Sequence, residues 1–134
     1  MNKFTVTDVL EAIRKNGLHK IQGNYYATGS IDGELFKTNA VKPTNPVAAC
    51  SIGQAAINLN CTTLDIQSVL GLVIVTARHS IPRKEFSPWG ATVVKGRRVS
   101  LLDYVLALND GTDLSFQEIA DICEAAYNEM LHEY

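Results

Sequence analysis

From Val47 to Ile57 the chain carries no charged residue. A run of Ala, Gly, Ile and Val of that length has to be buried on nearly every side, so the rest of the fold is arranged around it. Asn45-Pro46, just before it, reads as a helix cap followed by the one helical position where proline costs nothing. The expectation is a central helix from Pro46 to about Leu59. Ala49, Gly53 and Ala56 give that helix a narrow side on which a neighbouring backbone can come close.

The segments on either side read more conventionally. Thr5 with Asp8 three residues later, or Thr7, caps a short amphipathic helix with Val9, Leu10 and Ile13 on its apolar face; Asn16-Gly17 ends it. Tyr25–Thr28 and Glu34–Lys37 flank Asp32-Gly33, a hairpin signal, and place Tyr25 and Tyr26 on opposite faces, one in the core and one exposed. Thr62 or Thr63 caps a helix running to about Leu70. The run Leu72–Thr76 fits a buried strand or a helix end equally well. Prolines and glycines make 78–98 a loop, with one short strand at Ala91–Val94. A helix opening at Ser100 closes at Asn109-Asp110-Gly111, read as a C-cap and turn. Ser115 and Glu118 form a capping box for a last helix with Phe116, Ile119, Ala120, Cys123, Ala126, Tyr127 and Met130 on one stripe.

The chain of 134 residues fits one domain, and 46% hydrophobic with 19% charged residues rules out disorder as its main state. A net charge of −2 excludes a protein that coats nucleic acid. No apolar run reaches the roughly 18 residues of a membrane span, and the first residues lack a signal-peptide core, so a cytoplasmic protein off the membrane is expected. Cys50, Cys61 and Cys123 are an odd number and His19, His79 and His132 are scattered, which argues for reduced thiols and against structural zinc. The stretch Gly111–Glu118 has the wrong spacing for a calcium loop and no oxygen ligands upstream at Leu106 and Leu108. No cofactor is expected.

Charge is distributed unevenly. Arg78, Arg83, Lys84, Lys95, Arg97 and Arg98 make up six of the 12 basic residues, whereas 99–134 holds eight acids and no Lys or Arg. Guanidinium forks match phosphate, and Trp89 adds a stacking face. Arg78, His79, Arg83, Lys84, Trp89, Arg97 and Arg98 are therefore the candidate ligand-binding residues. In the plainer alternative, the basic loop and the acidic helix neutralise each other. Cys50, near the start of the central helix, could be an activated thiol with His79 as its base. Its alanine-rich surroundings instead favour a core role.

Three pieces together resemble a family of small uncharacterised bacterial and phage proteins, a domain of unknown function. These are a helix ending near Asn16-Gly17-Leu18, the run Ala49-Cys50-Ser51-Ile52-Gly53-Gln54-Ala55, and Ala107-Leu108-Asn109-Asp110 before a capped last helix. The family's marks are a helix ending in Gly-Trp, a Cys-Ala-x-Gly-Ala helix and a Trp-Asn-Asp turn; here Leu18 and Leu108 stand in place of the two tryptophans. The resemblance implies that Cys50, Gly53, Asn109 and Asp110 are shared positions, and it brings no activity with it. Packing and turn geometry account for all four without catalysis.

The fold class expected is α+β, mostly helical, with four or five helices and a small β-hairpin. The function expected is non-catalytic: an oligomeric binding protein, of a phage-type sequestering kind, that holds an anionic, nucleotide-like small molecule on the 78–98 loop. A protein-interaction or inhibitor module acting through charge asymmetry is the first alternative, and a thiol enzyme using Cys50 and His79 the second. The expected partners are an anionic small molecule, a protein in the first alternative, and further copies of the chain.

Overall fold

The computed structural model describes residues 4–133 apart from residues 16, 30–34, 86 and 88–91. In chain order the elements are α1 (Val6–Arg14), β1 (His19–Lys20), β2 (Tyr26–Gly29), β3 (Leu35–Thr38), β4 (Pro46–Ala49), α2 (Ser51–Asn58), α3 (Thr63–Leu70), β5 (Ile74–Thr76), β6 (Arg98–Ser100), α4 (Leu101–Gly111) and α5 (Phe116–Leu131). The fold is α+β and mostly helical. Buried residues of all five helices join one core, with α2 packed against α1, α3 and α4.

Local caps set most of the helix starts. Thr5 with Asp8, Thr62 with Asp65, and Ser115 with Glu118 each form a complete capping box, and Ser100 Oγ accepts the backbone N–H of Asp103. These side chains satisfy N–H groups that would otherwise lack partners in the first turn. At the far end of α1, Gln54 Nε2 donates to the carbonyl of Lys15 at 2.7 Å, so the helix is closed from α2; the Asn16 part of the expected stop lies outside the described residues.

The hairpin grows into a four-stranded sheet of order β1-β4-β2-β3. β2 and β3 pair antiparallel with Gly29 opposite Leu35, and the Asp32-Gly33 turn lies outside the described residues. The expected helix start at Pro46 is wrong, because 46–49 is strand β4. It pairs parallel with β1 through His19↔Ala48 and Lys20↔Ala49, and antiparallel with β2. Proline at the first residue of a strand removes no ladder bond from its interior. The uncharged run had no local reason to prefer one state, and the two flanking strands offer partners to its backbone. Helix α2 therefore begins at Ser51, with Cys50 as an N-cap that makes no side-chain bond.

Four smaller expectations are also decided. Tyr25 and Tyr26 are both buried, since α3 covers Tyr25 and Gln67 Nε2 donates to its hydroxyl at 2.6 Å. Of the run 72–76, only Ile74–Thr76 is strand (β5, paired antiparallel with β6), and it is not a buried one, with Ile74 exposed and Leu72 86% exposed. Of the strand expected at 91–94, the described residues show a single bridge, Val93 to Ile81. Asn109, Asp110 and Gly111 belong to the last turn of α4 and do not form a turn beyond it.

Candidate functional site

The β5–β6 ribbon continues past its strands. Ala77 N–H donates to the Arg97 carbonyl and Gly96 N–H to the Ala77 carbonyl, both at 2.9 Å, and Ile81 and Val93 exchange two bonds farther on. Gly96 has φ of 86°, a left-handed conformation that favours glycine, and this lets the chain turn back there. Lys95 N–H donates to Ser80 Oγ at 2.9 Å. Arg78 and His79 are thereby brought opposite Lys95 and Gly96, with Glu129 of α5 alongside.

These residues, together with Thr76 and Ala77, line a groove of about 600 Å³. Arg78 Nη1 lies 3.1 Å from Glu129 Oε2, and both side chains are about half exposed. An exposed pair of this kind is worth at most about 1 kcal/mol, so its guanidinium can be redirected by a ligand. Behind Arg78 and His79 stands Tyr104 of α4, fully buried, whose hydroxyl accepts the Arg78 backbone N–H at 3.0 Å and lies 3.1 Å from His79 Nδ1. Burial raises the Tyr104 phenol above its ordinary value, and the backbone N–H groups of Arg78 and His79 pull in the opposite direction.

The other candidate residues fall elsewhere. Arg97 and Arg98 are exposed on the return strand, and neither is among the residues lining the groove. Arg83 is exposed as well. Lys84 borders a different hollow of about 230 Å³, with Gln22, Asp110, Gly111, Thr112 and Asp113. Trp89 lies outside the described residues, as does Phe86. The charge asymmetry is partly spent within the fold: Arg78 meets Glu129, and Arg14 of α1 bonds Asp121 and approaches Glu124 on α5.

Of the positions singled out by the family resemblance, Asn109 and Asp110 sit together at one junction with the start of α2, next to Cys50. Asn109 Oδ1 accepts from Ser51 N–H at 2.9 Å and from Ser51 Oγ at 2.8 Å, and its Nδ2 donates to the Ile21 carbonyl and to Asp110 Oδ1. Asp110 Oδ1 also accepts the Gly23 N–H, while its Oδ2 is buried with no partner among the described residues. Lys20 Nζ and Gln22 Nε2 both donate to the carbonyls of Asn109 and Thr112 at the end of α4. Asn109 therefore supplies from α4 the N-cap that α2 lacks locally. Lys20, Gln22, Asn24, Lys37 and Asp113 border a second groove of about 540 Å³ beside this junction. Burial lowers the Lys20 ammonium from its usual value, against the pull of Asp113 and Asp110. None of Lys20, Gln22, Lys37 and Tyr104 was a sequence candidate, because an isolated lysine or tyrosine has no motif around it.

Cys50 is 1% exposed. Burial pushes its thiol from 9.0 up to about 12, outweighing the N–H groups of Gly53 and Ile52 that favour the thiolate. A thiol held protonated at neutral pH and out of contact with solvent behaves as a small apolar group. His79 meanwhile is engaged with Tyr104.

An alkaline limit on stability follows. Folded Cys50 titrates near 12 against 9.0, and burial likewise carries the Tyr25 phenol from 10.0 to about 12. Both values are raised on folding, so the unfolded chain loses these protons first. Their stabilising contribution is whole below about pH 9 and declines as the pH climbs towards 12. Urea midpoints read by circular dichroism should fall steadily across that window, and a constant midpoint would contradict the burial of both groups.

Comparison of the chain with protein-family models, with curated proteins and with solved structures returns no match.

Proposed function

We propose that this chain is a non-catalytic binding protein that holds an anionic small molecule of nucleotide size in the groove between Arg78, His79 and Lys95. One observation carries the reading: two chain segments sixteen residues apart place a guanidinium, an imidazole and an ammonium around one concavity of about 600 Å³, within the size range of small-molecule sites. Phosphate oxygens suit a guanidinium fork and a lysine point charge. Glu129, the acid on the rim, holds Arg78 in place until a stronger anion displaces it. The Lys20 groove is the weaker host, because its most buried cation already donates to two helix-terminal carbonyls. Trp89 enters the proposal as a stacking face for a base.

Native mass spectrometry of the protein purified from cells, followed by mild denaturation, tests this directly. A released anion of nucleotide-like mass is expected, and the same spectrum counts the copies of the chain. Arg78→Glu and Lys95→Glu should each reduce retention by about tenfold or more, since a like charge now faces the ligand. Arg83→Glu, outside the groove, should leave retention unchanged, and Trp89→Leu should weaken a nucleotide but not inorganic phosphate. An empty protein that also fails to take up added AMP would overturn the proposal.

A further inference from the structure

We infer that Tyr104 is a positioning residue which locks the neutral His79 ring in the tautomer protonated at Nε2, so that the groove meets an oxyanion with an N–H donor that carries no charge. The inference deepens the anion-binding reading and depends on it for the ligand.

One buried oxygen decides where the ring proton sits. Tyr104 is 0% exposed, so solvent does not decide which way its hydroxyl points. Its oxygen accepts the Arg78 backbone N–H at 3.0 Å. A phenolic oxygen has one hydrogen to give and a limited set of lone pairs to fill. A buried hydroxyl hydrogen without an acceptor is costly, and among the described residues His79 Nδ1 at 3.1 Å is the acceptor within reach. A hydrogen on Nδ1 would face the hydroxyl's own hydrogen, donor against donor. In the neutral ring Nδ1 is therefore bare, and the proton sits on Nε2. Since Nδ1 is held against the buried hydroxyl, Nε2 is the nitrogen that exposed His79 presents to a ligand in the groove.

The chemical consequence is selectivity for acceptors. Arg78, Lys95 and His79 all present donors, and Tyr104 removes the one tautomer in which the ring would present a bare nitrogen instead. A fully ionised phosphate or carboxylate is met by three donors. A ligand offering a donor to His79 finds no acceptor there and gains nothing from the contact.

The test needs no knowledge of the natural ligand. Long-range 15N–1H correlation of histidine-labelled protein at alkaline pH should show His79 as one tautomer with the proton on Nε2. Tyr104→Phe should turn that pattern into an averaged mixture. An Nδ1-protonated ring, or an averaged mixture in the unmodified protein, would overturn the inference. If Tyr104→Phe does not fold, two His79 variants decide it with inorganic phosphate as the probe. His79→Gln, whose amide nitrogen can stand near the Nε2 position, should bind within about threefold of the unmodified protein, while His79→Asn should lose about tenfold, the worth of one hydrogen bond to a charged group. Equal losses in the two would overturn it. Should the tautomer be fixed but phosphate not bind at all, the anion-binding reading falls and the assignment of Tyr104 stands.

Discussion

Asn109→Ala is expected to cost the fold about 3–5 kcal/mol. The side chain is fully buried and satisfies four groups at once: Ser51 N–H and Oγ at the start of α2, the Ile21 carbonyl after β1, and Asp110 beside it. Truncation strands at least the Ser51 N–H and the Ile21 carbonyl in the interior, at roughly 1–3 kcal/mol each. It also removes the side-chain cap of α2, since Cys50 makes no capping bond of its own. Asn109→Asp separates capping from the rest. It keeps an acceptor for Ser51 but loses both donated bonds, and sets a carboxylate against Asp110 Oδ1, which Asn109 Nδ2 approaches at 3.0 Å. The Asp variant is therefore expected to be no more stable than the Ala variant near neutral pH. Urea denaturation of the three proteins measures this, and a near-native midpoint for either variant would mean that the junction is not held by this amide.

The second large effect is at Gly53. Alanine favours a helix over glycine by about 1 kcal/mol, so propensity alone forecasts a gain. The structure forecasts a loss. A Cβ at Gly53 would overlap the carbonyl oxygen of Tyr25 and come to 2.8 Å from Cε1 of Tyr26. That carbonyl is held by the Cys50 N–H at 2.9 Å, and Tyr26 is 1% exposed, so neither neighbour has room to retreat. Overpacking of this kind costs about 1–3 kcal/mol and sometimes more, which exceeds the propensity gain. Gly53→Ala should lower stability by about 2 kcal/mol or more, with α2 pushed away from β2. A stabilised variant would show that the two elements can separate without penalty.

What could be read from the residues alone divides along the range of the interaction. The starts of α1, α3, α4 and α5 were legible because each cap and its partner lie three residues apart in sequence. The start of α2 was not, because its cap is Asn109, 58 residues away, and because Pro46 offered a plausible local start in the wrong place. The same long-range bond hid the meaning of Asn109-Asp110, which read as a C-cap and turn and proved to be the buried last turn of α4. In the groove, Arg78 and His79 were visible as part of a basic cluster. Their convergence with Lys95 depends on the ribbon, whose register no charge pattern reveals, and Arg97 and Arg98 looked equivalent to Arg78 until that register placed them away from the lining. Tyr104 left no trace in the sequence, since a tyrosine on the apolar face of a helix reads as core.

Backbone amide chemical shifts report, residue by residue, where an anion binds. Uniformly 15N-labelled protein titrated with inorganic phosphate and then with AMP should show saturable shifts at Arg78, His79, Lys95 and Gly96, with those of Lys20, Gln22 and Lys37 unmoved. Saturable shifts confined to the Lys20–Asn24 groove, or no saturable shift at millimolar ligand, would contradict the assignment of the Arg78 groove as the binding site.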